Sequence, residues 1–324
     1  MAMAQDEDEI TFPLDNFYAK RKKNVVRGIL KDFHFSGSIG YGNTSFNHKL
    51  KGFGVLQSPG FVPVIFDANP GIGTRYSNWV NTVVTDTTAL KPYSFSASSD
   101  TTKLGFKGHS LNLPLKLTLH YEYKKKYRIG GGYSWEYMSI GQLHSISYKD
   151  KIGKFSPGDP SGFMKKYFGM IGYSFYRLSD YLFTADLNIG GFKPGKNFDN
   201  GLIKKGLYYN AGVTVERELS EYLSAFVRPS YEIKSYTLNI PESGKTIDHK
   251  INAFYINVGL TYSLPELPRC YNNDCHAQIN HAHGDKEYRS RMHKIWKWQN
   301  PNYGQNNPKL IKYKGKNKKK LNPY

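Results

Sequence analysis

Between Cys270 and His293 the chain gathers its densest set of groups that could bind a metal or form a disulfide: Cys270, Cys275, His276, His281, His283 and His293. Thiolate and imidazole are donors that zinc accepts, and a closed site needs four of them converging. The Cys-x4-Cys spacing followed by His-x-His matches no standard finger, however. In an oxidising compartment the simpler expectation is a Cys270–Cys275 disulfide tying a small loop, with zinc and free thiols as alternatives. No other cofactor is expected.

Downstream the chain turns basic. Eleven Lys and Arg and no Asp or Glu follow Tyr288, a large part of a formal net charge of +19. Trp296, Trp298 and Tyr303 are interleaved with these cations, and Lys312, Lys314, Lys316, Lys318, Lys319 and Lys320 crowd the end. Cations beside stacking aromatics suit single-stranded nucleic acid, an anionic surface or an acidic protein. A solvated tail is the plain alternative. Elsewhere, His144, Ser145, Ser147 and Asp199 offer the residue types of a hydrolytic centre, which would require hydrogen-bond reach among them. The His-any-Ser spacing of the lipid A deacylase barrels is not reproduced, because Ser147 lies three residues after His144.

The elements that position these groups show themselves in LNLPLKLTLHYEY, Leu111 to Tyr123. Odd positions are Leu or Tyr throughout; even positions are Asn112, Pro114, Lys116, Thr118, His120 and Glu122. Successive strand side chains point to opposite faces, so one face is wholly apolar and the other mostly polar. The alternation returns from Tyr181 to Gly190, from Leu207 to Glu216 and from Phe254 to Leu264. About ten alternating residues, tilted, cross a bilayer as a strand, and only a closed barrel leaves no unpaired edge in lipid. The fold class predicted is all-β: a transmembrane, antiparallel, up-and-down barrel of eight strands, with ten as the alternative.

Composition agrees once loops are considered. The mean hydropathy is negative and 22% of the 324 residues are charged, yet every barrel strand is half polar. Aromatics reach 15%, with 26 Tyr, as interfacial girdles require. Residues 1–29 read as a signal remnant and lead-in, since Ala2-Met3-Ala4 before Gln5 resembles the end of a secretory signal. A chance Ala-Met-Ala or an expression leader is the rival. Residues 30–264 form the barrel, residues 49–101 a long outer loop with short structure of its own or an extra hairpin, and residues 265–324 a periplasmic tail. Long and short connections are expected to alternate, NIPESGKTIDHK being one of the long ones, and Pro229 is expected to force a bulge.

An eight-stranded lumen is just wide enough for side chains to fill. The inward groups expected are Lys116, His120, Glu122, Arg128, Glu136, Asp186, Glu216, Arg228, Glu232 and Lys234, whose balanced signs point to mutual pairing rather than conduction.

The strand rhythm, the Tyr-rich strands and the paired turns LSDYL and LSEYL make residues 30–264 resemble the small outer-membrane barrels of the OmpX/OmpA-like group, Bacteroidetes type, with PorG-like barrels of the type IX secretion system as an analogue. The long first loop and basic tail depart from the simplest members. The resemblance implies a non-enzymatic part of an envelope machine in the cell outer membrane. Outer-membrane lipid would surround the barrel; through the tail it would meet a periplasmic protein, a lipoprotein or peptidoglycan, and no nucleic acid. A small porin or an outer-rim lipid-modifying enzyme is the alternative.

Overall fold

The computed structural model describes residues 25–68, 91–99, 103–156, 161–178, 180–195, 201–220, 222–272, 280–283 and 286–289. Eight long antiparallel strands close into a ring: β1 (Phe33–Lys49), β5 (Gly105–Tyr123), β6 (Tyr127–Ile140), β8 (Ser161–Leu178), β9 (Tyr181–Pro194), β10 (Ile203–Glu218), β11 (Leu223–Ile240) and β12 (Lys245–Ser263). Sequence neighbours pair around the ring, and β1 closes it by pairing with both β12 and β5. The registers follow the pleat: Leu115 opposes Trp135, Trp135 opposes Lys165, and Asp186 opposes both Gly172 and Gly212. Three short strands, β2 (Phe53–Gln57), β3 (Val64–Asp67) and β4 (Phe95–Ser98), make a separate sheet inside the first long connection, ordered β3-β2-β4. That connection therefore carries its own structure rather than two further barrel strands. A two-residue strand, β7 (His144–Ser145), adds to the end of β5.

The exterior is apolar where a soluble protein would be polar. Ile39 is 68% exposed, Phe163 61% and Leu119 52%, and Leu111, Leu113, Leu115, Tyr231, Ile233, Phe254 and Val258 are exposed beside them. A contiguous exposed belt of this kind is a lipid-facing surface. Aromatic pairs border it: Tyr127 meets Tyr173 with ring centres 5.5 Å apart, and Tyr137 meets Phe163 at 5.4 Å. Tyr127 and Tyr137 are ten residues apart on β6, roughly 33 Å of strand, which at a tilt of about 40° spans the roughly 25 Å of a barrel's apolar band. The fold is that of an outer-membrane β-barrel.

Toward the loop end the polarity of both faces inverts. On β12 the outward residues are Asp248 and Lys250 before Phe254, Ile256 and Val258 begin; inward, Ile247 and Ile251 give way to Asn257 and Thr261. On β1 Asn43, Ser45, Asn47 and Lys49 face out while Phe46 is buried. The strands here have left lipid for water, and the barrel is packed like a soluble core. Phe46, Leu50, Phe106, Met138, Leu238, Ile240 and Ile251 pack with Phe53, Val55 and Ile65 of the small sheet and with Leu143, Ile152 and Phe155 of the β6–β8 connection. Phe106 meets Phe155 edge-on at 5.1 Å. Lys245 Nζ donates to Gly52 O at 3.2 Å and pairs with Asp67, tying the small sheet to β12.

Two expectations need correction. The connection between β11 and β12 is only residues 241–244, because both strands run past the membrane before turning, so connection lengths do not alternate strictly. Pro229 is exposed on the outer face, and burial alternates unbroken through it, so no bulge forms there. A register shift lies in β8, between Ser174 and Tyr176.

A second compact unit comprises residues 1–33, 218–223 and 262–324, of which parts are described. Within it, the short helix α1 (Val25–Leu30) donates from Arg27 Nη1 to Pro265 O at 3.3 Å, and Lys31 pairs with Glu266 at 3.0 Å. The backbone of Arg289 donates to Pro268 O at 2.9 Å, and its guanidinium covers the Tyr222 ring at 4.2 Å. The hairpin of β13 (His281–His283) and β14 (Lys286–Tyr288) belongs to the same unit.

Candidate functional site

The inner face of the barrel assembles the expected charged groups into three clusters. Arg128 donates from Nε to Glu122 at 3.0 Å and from Nη2 to Glu216 at 2.9 Å. Arg228 grips Asp186 with Nε, 2.8 Å from Oδ1, and with Nη2, while Thr214 Oγ1 donates to Asp186 Oδ2 at 2.8 Å. In the third cluster Lys166 binds both Glu136 and Glu232, the latter at 2.6 Å, and Lys234 Nζ donates to Glu232 at 2.7 Å. Glu136 also accepts from Asn112 and, at 2.8 Å, from Tyr255 OH. Five cations (Lys116, Arg128, Lys166, Arg228, Lys234) thus face five carboxylates (Glu122, Glu136, Asp186, Glu216, Glu232).

Lys166 is absent from the sequence-based set. Its neighbour Lys165 lies on the outer face between Phe163 and Tyr167, so a Lys-Lys pair hides which of the two points inward. Among the described residues Lys116 makes no ion pair of this kind; its Nζ lies 4.6 Å from the Phe168 ring centre. His120 stacks on His34 at 5.1 Å. Small inner residues make room for these side chains: a Cβ on Gly42 would stand 2.3 Å from the Tyr255 ring, and one on Gly40 equally close to Asn257.

Among the described residues, small cavities of about 30 and 40 Å³ meet at Lys116 and Arg228. Each has space for a few waters and polar walls to bind them. Paired charges in such surroundings contribute more to a fixed arrangement than to net stability. The chemistry they support is a filled, ordered interior.

At the rim, the hydroxyls considered for hydrolysis are committed to carbonyls. Ser145 Oγ donates to Ser147 O, and Ser147 Oγ donates to Lys103 O at 2.9 Å. Asp199 lies outside the described residues.

Of the Cys/His set, Cys270, His281 and His283 come together: one donor atom of each lies within 4.8 Å of the other two. His281 and His283 are two apart on β13, hence on one face of it. Cys270 is buried and its Sγ lies 3.9 Å from Asn272 O. Tyr271 and Tyr288 pack against the His283 ring at 6.3 and 5.8 Å. Cys275, His276 and His293 lie outside the described residues, as do Trp296, Trp298, Tyr303 and Lys312, Lys314, Lys316, Lys318, Lys319 and Lys320. The expected disulfide and the expected partner-binding tail both fall there.

No protein-family model matches the chain, and no curated protein matches it. Among solved structures the chain is similar to the outer-membrane protease OmpT of Escherichia coli, at 14% identity, over 72% of this chain and 97% of that one, with a TM-score of 0.32. It is similar also to OprG of Pseudomonas aeruginosa, at 9% identity over the same shares and a TM-score of 0.35. A third is the translocator domain of the autotransporter NalP of Neisseria meningitidis, at 10% identity over 70% of this chain and 88% of that one, TM-score 0.23. At such identities and scores the assignment of the barrel rests on the chain's own strand ring and apolar exterior.

Proposed function

We propose that the protein is a non-enzymatic outer-membrane barrel that anchors or docks a periplasmic partner, a subunit of an envelope complex or the cell wall, through its basic C-terminal tail. The observation that carries this reading is the interior. Ion pairs fill its middle and an apolar core fills its loop end, so the barrel is built as a mount rather than a conduit. A membrane mount leaves the chain's remaining recognition chemistry in the tail, where Trp296, Trp298 and Tyr303 stand among lysines. Envelope barrels of the PorG-like type would be the analogue in role.

Removing residues 290–324 tests it, because the truncation leaves Pro265, Glu266 and Pro268, the partners of Arg27, Lys31 and Arg289, in place. The truncated barrel should still reach the outer membrane and shift on gels when heated, while the proteins that co-purify with the full chain from native membranes disappear. An unchanged set of co-purifying proteins would refute the tail as the docking element. Altered lipid A in a deletion strain would favour the outer-rim enzyme instead.

A further inference from the structure

We infer that Cys270, His281 and His283 form a site for a borderline-soft transition metal, of the class of Zn2+, that pins the β13–β14 hairpin to the segment following the barrel. Three observations converge. One donor atom of each residue lies within 4.8 Å of the other two. Metal–nitrogen bonds near 2.0–2.1 Å and a metal–sulfur bond near 2.3 Å place ligand atoms of a tetrahedral site roughly 3.3–3.8 Å apart, so small side-chain rotations complete the convergence. Second, the Nε2 atom of His283 is buried with no hydrogen-bond partner among the described residues. A buried ring nitrogen without a partner costs free energy, and a bound cation removes that cost. Third, the donor set is one sulfur and two imidazole nitrogens, which selects zinc-class and copper-class ions over calcium or magnesium, whose sites are built from oxygens.

The surroundings suit such a centre. Cys270 is 6% exposed, and the buried Tyr288 ring lies 6.4 Å from the His281 ring and 5.8 Å from that of His283. Three protein ligands leave one tetrahedral corner for water. A metal held by Cys270 and β13 would close a loop of about a dozen residues of chain. The thiol loses its proton on binding, and the imidazoles must be neutral, so affinity falls as the medium is acidified. This inference stands apart from the docking role proposed above.

The test uses the full chain, refolded in detergent micelles, stripped with a chelator and kept reduced. Titration with ZnCl2 should show one tightly held equivalent. Titration with Co2+ should show tetrahedral visible bands together with a thiolate-to-metal charge-transfer band. C270S should abolish the charge-transfer band. H281A and H283A should each weaken binding by at least the roughly 10–100-fold that loss of even an outer-shell partner costs. All three variants should still migrate as heat-modifiable barrels, which separates lost ligation from lost folding. Binding of equal strength in the C270S/H281A/H283A variant would overturn the assignment. So would mass mapping of the chain from native membranes that recovers Cys270 joined to Cys275. Truncation at residue 290 must leave metal binding intact, so a failed docking role and a failed metal site give different results.

Discussion

Lys166 decides the balance of the inner face. It sits between Glu136 and Glu232, all three almost fully buried, and among the described residues no other cation touches both carboxylates as closely. Lys166→Met leaves two desolvated carboxylates with Lys234 as the remaining cation beside them among the described residues. Breaking a buried pair by removing one partner costs about 3–5 kcal/mol. Urea unfolding in micelles or vesicles should show a loss of that size, and a loss below about 1 kcal/mol would mean that water already screens the cluster. A residue outside the lipid belt gives the pH counterpart. His144 on β7 is held below the usual histidine range, first by partial burial and then by Lys107, Lys149 and Lys154. The folded imidazole stays neutral where the unfolded one, at about 6.5, begins to protonate. Its contribution is therefore fully present above the unfolded value and is lost as pH falls through the folded one. Imidazole NMR of the detergent-bound chain should place its midpoint below about 6.5.

At the scale of elements, most of the barrel was legible because lipid and lumen demand opposite polarity from alternate residues. Leu111 to Tyr123 displays that demand without a break, and the turn-side ends expected for β5 at Tyr123, for β9 at Tyr181 and for β12 at Leu264 fall within a residue of those found. What escaped reading has physical reasons. Where β1, β11 and β12 leave the membrane, water outside and a packed core inside reverse the sign of the alternation, and a reversed alternation reads as a loop. NIPESGKTIDHK reads as a loop for that reason, although Ile247 and His249 within it are buried in regular strand. The small β2–β3–β4 sheet lacks any long alternating run of its own, and the convergence of Cys270 with β13 depends on how the hairpin folds back. Turns carry a prediction of their own. Lys124 and Lys125 join β5 to β6 with φ of 52° and 55°, the left-handed region that costs a non-glycine residue roughly 1–2 kcal/mol. Lys125→Gly should raise stability by about 1 kcal/mol in the same unfolding assay, since glycine adopts this conformation at no steric cost. A loss of stability on that substitution would mean that the Lys125 side chain contributes more than its backbone strain removes.

For the barrel unit as a whole, the two closures lie in series along one axis, and that arrangement makes conduction a sharp test. Ions crossing the lumen would first meet the apolar core around Phe106, Phe155 and Ile65, where a constriction excludes water, and then the paired charges around Glu136 and Lys166. Closures in series must both be removed before current flows. Full-length protein in planar bilayers should therefore give no steps. Alanine at Lys116, Glu122, Arg128, Glu136, Lys166, Asp186, Glu216, Arg228, Glu232 and Lys234 removes all three charged clusters but leaves the apolar core, and should stay silent. Replacing residues 53–98 by a short linker strips the small sheet from the loop end but leaves the ion pairs, and should stay silent as well. Only the combined variant should open, with a salt-dependent step. Steady current from the unaltered chain, or from either variant alone, would show that one closure is leaky and would return the barrel to the class of small porins.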